Sequence, residues 1–351
     1  MSSSSISRDY AGKKVFVGID VHKRTYSIVA ICEDAIVKRW SMTADVEACR
    51  KSLLKFFPSA VIGSVYEAGF SGYRLHRELC SHGISNIVIS PSSVQKSPND
   101  RVKTDTLDAQ KMATQLSKGL LRGIEVPTEE RELKREVTRL RSQLVEHRVA
   151  ITLQIKSKLF YYGLTGPEDC RKISEKFIDY LEQLDLKAEL KLSFKILVEQ
   201  WRHVTSQIKE VEKKIREQSR TDEKVTEIYE SVPGVGLITA RVLANELGDL
   251  RLRFKNEREL FSYTGLTPSE YSSGDSIRKG SISRCGPSRI RWILTEAAWV
   301  CIRSDESMKA AYERLKVRRG AKRAIVAIAR KLIGRIRSCF IQGCTYKLQP
   351  A

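Results

Sequence analysis

The chain has 351 residues, 41% of them hydrophobic, and a formal charge of +20. That length predicts about two domains with cores of their own and excludes a disordered tail or a lone small module. Eight cysteines contain no C-x-x-C pair and the histidines number only five, which argues against a zinc site or a disulfide framework.

The positive excess is uneven, since residues 251–351 carry 22 Lys and Arg against 8 Asp and Glu. Such a field attracts polyanions, and nucleic acid is the expected partner ahead of an anionic membrane because no long apolar span exists. The first 13 residues are polar and serine-rich, lack the apolar core of a secretory signal, and are expected to form a disordered tail on a cytoplasmic protein.

From residue 14 to about 125 the pattern alternates between strand and helix periods. Strands are predicted at 15–20, about 25–31 and about 35–40, then a helix at 44–57, a strand at 61–67, a helix at 72–83, a strand at 86–90 and a helix from 105. This order is that of a ribonuclease-H-like mixed sheet, an α/β fold that would set Asp20 and Glu67 on neighbouring central strands. The stretch from Pro91 to Asp100 reads as a loop beside them.

Residues 126–225 carry apolar repeats of a long helical coiled-coil arm. Leu190, Phe194, Leu197, Trp201, Val204, Ile208, Val211 and Ile215 follow heptad spacing, and Leu133, Val137, Leu140 and Leu144 begin a similar run. The two helices are expected to pack as an antiparallel hairpin or against a second subunit. Phe160 to Gly163 and Gly166-Pro167 break the first of them.

Residues 226–345 read as a mainly α C-terminal domain. Ser231 to Gly236 is a glycine turn feeding an amphipathic helix, a helix-hairpin-helix pattern in which Gly234 and Gly236 offer amides to a phosphate. The same turn is also ordinary punctuation between helices. A Ser- and Gly-rich loop spans 271–280, and helices are expected at 287–303 and about 320–338, the latter with Ile325, Ile328, Leu332 and Ile336 inward.

Four acids stand out. Asp20 and Glu67 each end an apolar run, while Asp105 and Asp108 share one helix face. Taken alone, Asp105 and Asp108 read rather as an N-cap and a first-turn acid. Together with two acids beside a core, where an unpaired carboxylate is costly, they predict a site for two Mg²⁺ ions roughly 4 Å apart acting on a phosphodiester.

The segments Gly18 to Lys23, Tyr66 to Gly69, Asp100 to Ala109, Pro233 to Gly236, Gly265 to Pro268 and Tyr271 to Gly274 together resemble the IS-one-ten family of insertion-sequence transposases, to which the Piv and MooV DNA invertases are related. The likeness runs in order from about residue 14 to 340. It implies an N-terminal RuvC-like DEDD domain at 14–125, with Asp20, Glu67, Asp105 and Asp108 as catalytic metal ligands, and a C-terminal transposase domain with a serine nucleophile. The family's Tyr-x-Ser-Gly motif places that nucleophile on Ser273, with Ser272 the near miss. The resemblance also implies cutting and rejoining of DNA through a covalent phosphoserine and guidance by an RNA encoded by the element; a dimer or tetramer is expected because strand exchange needs paired active sites and the heptads supply an interface.

Lys103, Arg278 and Lys279 are candidate phosphate contacts, although any charged loop near nucleic acid would look alike. Two other functions stay open on the residues alone. One is a metal-dependent junction nuclease that uses water as nucleophile and is indifferent to Ser273. The other is a non-catalytic nucleic-acid-binding scaffold whose acids are helix caps.

Overall fold

The computed structural model describes residues 9–95, 104–167, 172–220, 223–273, 276 and 278–350. The chain divides into two units, residues 1–127 and 128–351. Of the expected tail, residues 1–8 lie outside the described residues. Tyr10 meets the Phe57 ring edge-on at 5.0 Å, and the Gly12 amide donates to the Ser59 carbonyl.

The first unit is built on five strands, β1 (Lys14–Val21), β2 (Thr25–Cys32), β3 (Ala35–Thr43), β4 (Val61–Glu67) and β5 (Ser85–Ile89), in the order β3-β2-β1-β4-β5. The first three pair antiparallel, and β4 and β5 run parallel to β1, so the sheet is mixed. Helices α1 (Val46–Phe56), α2 (Arg74–Ser81) and α3 (Asp105–Ser117) complete it. Every element predicted for this part of the chain is present, with its ends displaced by a few residues.

Strand periodicity decides which helix covers which face. Val15, Val17 and Ile19 alternate into one core with Cys49 and Leu53 of α1 and Leu75 and Leu79 of α2. The opposite face receives α3, where Val65 and Ile89 pack on Met112. Gly18 lies on that second face, and its missing side chain lets the α3 backbone settle on β1. A Cβ there would collide with the Ala109 carbonyl and stand 2.7 Å from the Ala113 amide.

Among the described residues the second unit is helical apart from one hairpin. Helices α4 (Glu129–Tyr161) and α6 (Ala188–Ser219) pack on each other, with the short α5 (Glu175–Gln183) between them in sequence. Ile155 and Leu159 share a core with Phe194, Leu197 and Trp201, while Arg141 pairs with Glu212 at 2.7 Å. The start of one helix therefore faces the end of the other, as in an antiparallel hairpin. Helix α4 stops at Tyr161, before Gly163 with φ of +65°, where the aromatic and glycine segment predicted a break.

Of the heptad run in the first half of α4, Leu144 is buried and Leu133 and Leu140 are exposed, while Arg135 and Thr138 between them are buried. That buried stripe faces α8 (Leu237–Leu247). Arg131 and Arg135 each donate to the Asn245 and Glu246 carbonyls at 2.9 to 3.2 Å, and Arg139 clasps the Glu246 carboxylate at 2.9 and 3.1 Å. These arginines satisfy the carbonyls that a helix C-terminus leaves without intrahelical partners and complement its partial negative charge.

Helix α7 (Glu223–Glu230) joins α8 through Ser231 to Gly236, with Gly234 at φ of +83° and Gly236 at the N-cap of α8. After the short α9 (Leu250–Arg253) and α10 (Glu257–Thr264), strands β6 (Pro268–Glu270) and β7 (Lys279–Ile282) form the hairpin. Helices α11 (Ser288–Ser304), α12 (Glu306–Arg319) and α13 (Ala321–Gln342) close the unit. Ile325, Ile328, Leu332 and Ile336 of α13 are all buried, on the face predicted for them. Among the described residues no helix is long and apolar enough to cross a membrane.

Candidate functional site

Strands β1 and β4 end together. Their register closes with Ile19 opposite Tyr66, so the next residues, Asp20 and Glu67, leave the ladder from adjacent positions. Two-residue periodicity sets Asp20 on the face of Gly18 and Glu67 on the face of Val65, which is the face covered by α3. Thr104 caps α3, its hydroxyl accepting from the Leu107 amide at 3.3 Å. Asp105 is thus the first helical residue and not the cap, and both Asp105 and Asp108 stand in the first turn, where the helix dipole favours negative charge.

The closest grouping is Asp20, Asp105 and a residue the sequence reading passed over. His22 Nε2 lies 3.1 Å from Asp20 Oδ2 and 3.2 Å from Asp105 Oδ2, and one ligand atom from each of the three falls within 4.8 Å of the others. Glu67 and Asp108 are outside this set, although the Asp108 charge is felt at Asp20. The signal for His22 was present in the alternation of Gly18, Asp20 and His22, but it falls one residue past the strand and carries no apolar pattern of its own.

Burial pushes the Asp20 carboxyl above its ordinary range, and the Asp105 and Asp108 charges push the same way against the pull of His22. A single Nε2 proton cannot satisfy two carboxylate oxygens at full strength, so negative charge is left uncompensated. Oxygen donors with a deficit of positive charge fit a divalent cation. The chemistry such an ion supplies is a fixed positive charge on phosphate oxygens.

Ser273 belongs to the second unit. It lies near the tip of the β6–β7 hairpin, exposed, exchanging backbone hydrogen bonds with Ser276 at 3.1 Å in both directions. The neighbouring Ser272 hydroxyl donates to Glu270 Oε1 at 2.8 Å and accepts from the Arg278 amide at 3.3 Å. Gly274, Lys103 and residues 96–100 of the predicted loop lie outside the described residues. Gln95, just before that gap, exchanges hydrogen bonds with Gln115 of α3 at 3.0 and 3.1 Å. Arg278 is exposed, and Lys279 opens β7.

Residues 17–162 match the family model of DEDD transposases of the IS110 type, described as Transposase, and residues 226–313 match the model described as Transposase IS116/IS110/IS902 family. The chain is similar to the putative transposase y4qE of Sinorhizobium fredii, with 30% identity over 300 residues, covering 82% of this chain and 72% of that protein. It is also similar to the transposase for insertion sequence element IS1111A of Coxiella burnetii, 26% identical over 327 residues, 90% of this chain and 86% of the relative. The transposase for IS1328 of Yersinia enterocolitica is 26% identical over 287 residues, 81% and 83% of the two chains. With Asp20 and Glu67 at the ends of the central strands β1 and β4, Asp105 and Asp108 in the first turn of α3, and both family models matched in order, the chain belongs to the IS110 family of insertion-sequence transposases, enzymes of DNA strand cleavage and transfer.

Proposed function

We propose that this transposase cuts and rejoins strands through a serine ester, with Asp20, Glu67, Asp105 and Asp108 as ligands for divalent ions, Mg²⁺ being the expected metal. The observation that carries the reading is the convergence of Asp20 and Asp105, with Asp108 close enough to act on Asp20, on the face that Glu67 also occupies. Carboxylates of one sign brought this close are costly unless a cation joins them.

The chemistry expected of the chain itself is a transesterification. The Ser273 hydroxyl oxygen forms a bond to phosphorus, the bond to one strand oxygen breaks, and that oxygen leaves as a hydroxyl with the serine proton. Attack by a hydroxyl of the incoming strand then releases serine and restores a phosphodiester. Ser273 is favoured over Ser272 because the Ser272 hydroxyl is committed to Glu270 and the Arg278 amide. Arg278 and Lys279 are proposed to hold phosphate beside it, as are Lys103 and the turn amides around Gly234 and Gly236, where α7, the turn and α8 would serve as a helix-hairpin-helix.

The proposed division is a tail at 1–13, a DEDD domain at 14–125, a coiled-coil arm at 126–225 and a transposase domain at 226–345. The start of the second family match at residue 226 supports the last boundary. Guidance by an RNA from the element and assembly as a dimer or tetramer complete the reading, since strand exchange needs paired active sites.

The test is Ser273→Ala in a strand-exchange assay with denaturing detection of protein bound covalently to DNA. Loss of both adduct and exchange is expected. Cleavage that persists without any adduct would instead favour a metal-dependent nuclease that uses water.

A further inference from the structure

We propose that His22 is a nitrogen ligand of the metal centre, and that it turns the site from a purely hard, oxygen-only set toward manganese-class divalent ions. The inference rests on the reading of Asp20 and Asp105 as metal ligands. Its own support is the position of one atom.

His22 follows Asp20 by two residues on the same face, and its amide donates to the Thr25 carbonyl at 2.9 Å, which fixes the backbone at the turn between β1 and β2. The imidazole then reaches the acids with Nε2, at 3.1 and 3.2 Å from one oxygen of each. Ligand bonds of about 2.1 Å in octahedral geometry place neighbouring donor atoms about 3.0 Å apart. Both His22 separations match that edge, so all three atoms can bind one ion with little movement. The side chain is 44% exposed, leaving a path for exchange of the ion with solvent.

The consequence is selectivity. A carboxylate-only cage suits Mg²⁺, whereas an imidazole nitrogen adds affinity for softer ions in the order Mn²⁺, Fe²⁺, Co²⁺. A histidine that only hydrogen-bonded the acids would steady them for any divalent ion alike.

The experiment uses the full chain without DNA and Mn²⁺ as the probe. Pulsed electron paramagnetic resonance reads nitrogen coupling to bound Mn²⁺, and calorimetry gives Mn²⁺ and Mg²⁺ affinities for wild type, His22→Ala, His22→Asn and Asp20→Asn. Wild type is expected to show directly bound nitrogen. His22→Ala should lose that signal and weaken Mn²⁺ on the order of ten-fold or more, against a much smaller change for Mg²⁺. Asparagine, which keeps a hydrogen-bonding side chain, should not restore the signal. Bound Mn²⁺ without nitrogen coupling, or equal weakening of both ions in His22→Ala, would overturn the proposal while leaving the carboxylate site intact. Mn²⁺ binding that is absent in wild type, or unaffected by Asp20→Asn, would overturn the underlying metal-site reading as well. Thermal melts without metal check that each variant is folded.

Discussion

Gly18 of β1 and Ala109 of α3 meet backbone to backbone, and no side chain larger than hydrogen fits between them. This contact sets the height of α3 above the sheet, and with it the approach of Asp105 to Asp20 two residues farther along the strand. The motif glycine is therefore a spacer for the acid that follows it.

Gly18→Ala is expected to destabilise the protein by about 1 to 3 kcal/mol, the usual range for overpacking a filled site. Gly63 on β4 is the control, because a Cβ there meets only the Phe16 ring at 3.6 Å and alanine should be tolerated. Urea denaturation separates the two. Gly18→Ala should also lose part of the stabilisation conferred by divalent ions, since Asp105 would be lifted away.

The raised Asp20 carboxyl gives a pH dependence of definite sign. In metal-free protein the folded state holds the Asp20 proton more tightly than the unfolded chain, so stability is lost as pH rises from about 3.9 through the folded value. Asp20→Asn removes this loss. In denaturation measured with a chelator, the variant should gain on wild type between acid and neutral pH, and addition of Mg²⁺ or Mn²⁺ should raise the melting temperature of wild type but not of Asp20→Asn.

For the hairpin, Ser272→Ala and Ser273→Ala should differ sharply. Ser273→Ala is expected to abolish the covalent adduct and lower strand exchange by on the order of a thousand-fold or more. Ser272→Ala should retain the adduct, because it removes only the hydrogen bonds to Glu270 and the Arg278 amide. Mapping an adduct to Ser272 would reverse the assignment.

A buried ion pair in the second unit gives a stability test that touches none of the proposed metal ligands. Asp305 caps α12 through the Met308 amide at 2.9 Å, and accepts from Arg335 at 2.9 Å and from the Tyr346 hydroxyl at 2.8 Å. Burial alone would raise its carboxyl, but the amide, the hydroxyl and the guanidinium together hold it below the ordinary value. Its contribution is thus present above about pH 3.9 and lost as pH falls through the lower folded value. Asp305→Asn leaves Arg335 facing a neutral partner and should cost about 3 kcal/mol at neutral pH, with a smaller penalty in acid. Guanidinium denaturation at two pH values reads both.

Much of the first unit was legible in the sequence because its strands are short apolar runs and its helices are bounded by polar turns. Asp20, Asp105 and Asp108 could be placed for the same reason, each lying at the end of a periodic element. His22 was passed over because it continues the alternation of Gly18 and Asp20 one residue past the end of β1, with no apolar pattern of its own. In α4 the apolar spacing of Leu133 and Leu140 pointed away from the covered face, because what α4 covers there is the carbonyl end of α8 and not an apolar stripe. The telling signal was Arg131, Arg135 and Arg139, one per helical turn.

Those arginines also change what the formal charge of +20 means. Arg135 is buried against helix carbonyls, and Arg241 is wholly buried with its guanidinium on Thr226 and Asn245. Neither can displace a condensed cation from a DNA backbone. Salt dependence of binding scales with the phosphates neutralised and not with net charge, so the plot of log affinity against log salt will be shallower than a count of Lys and Arg suggests.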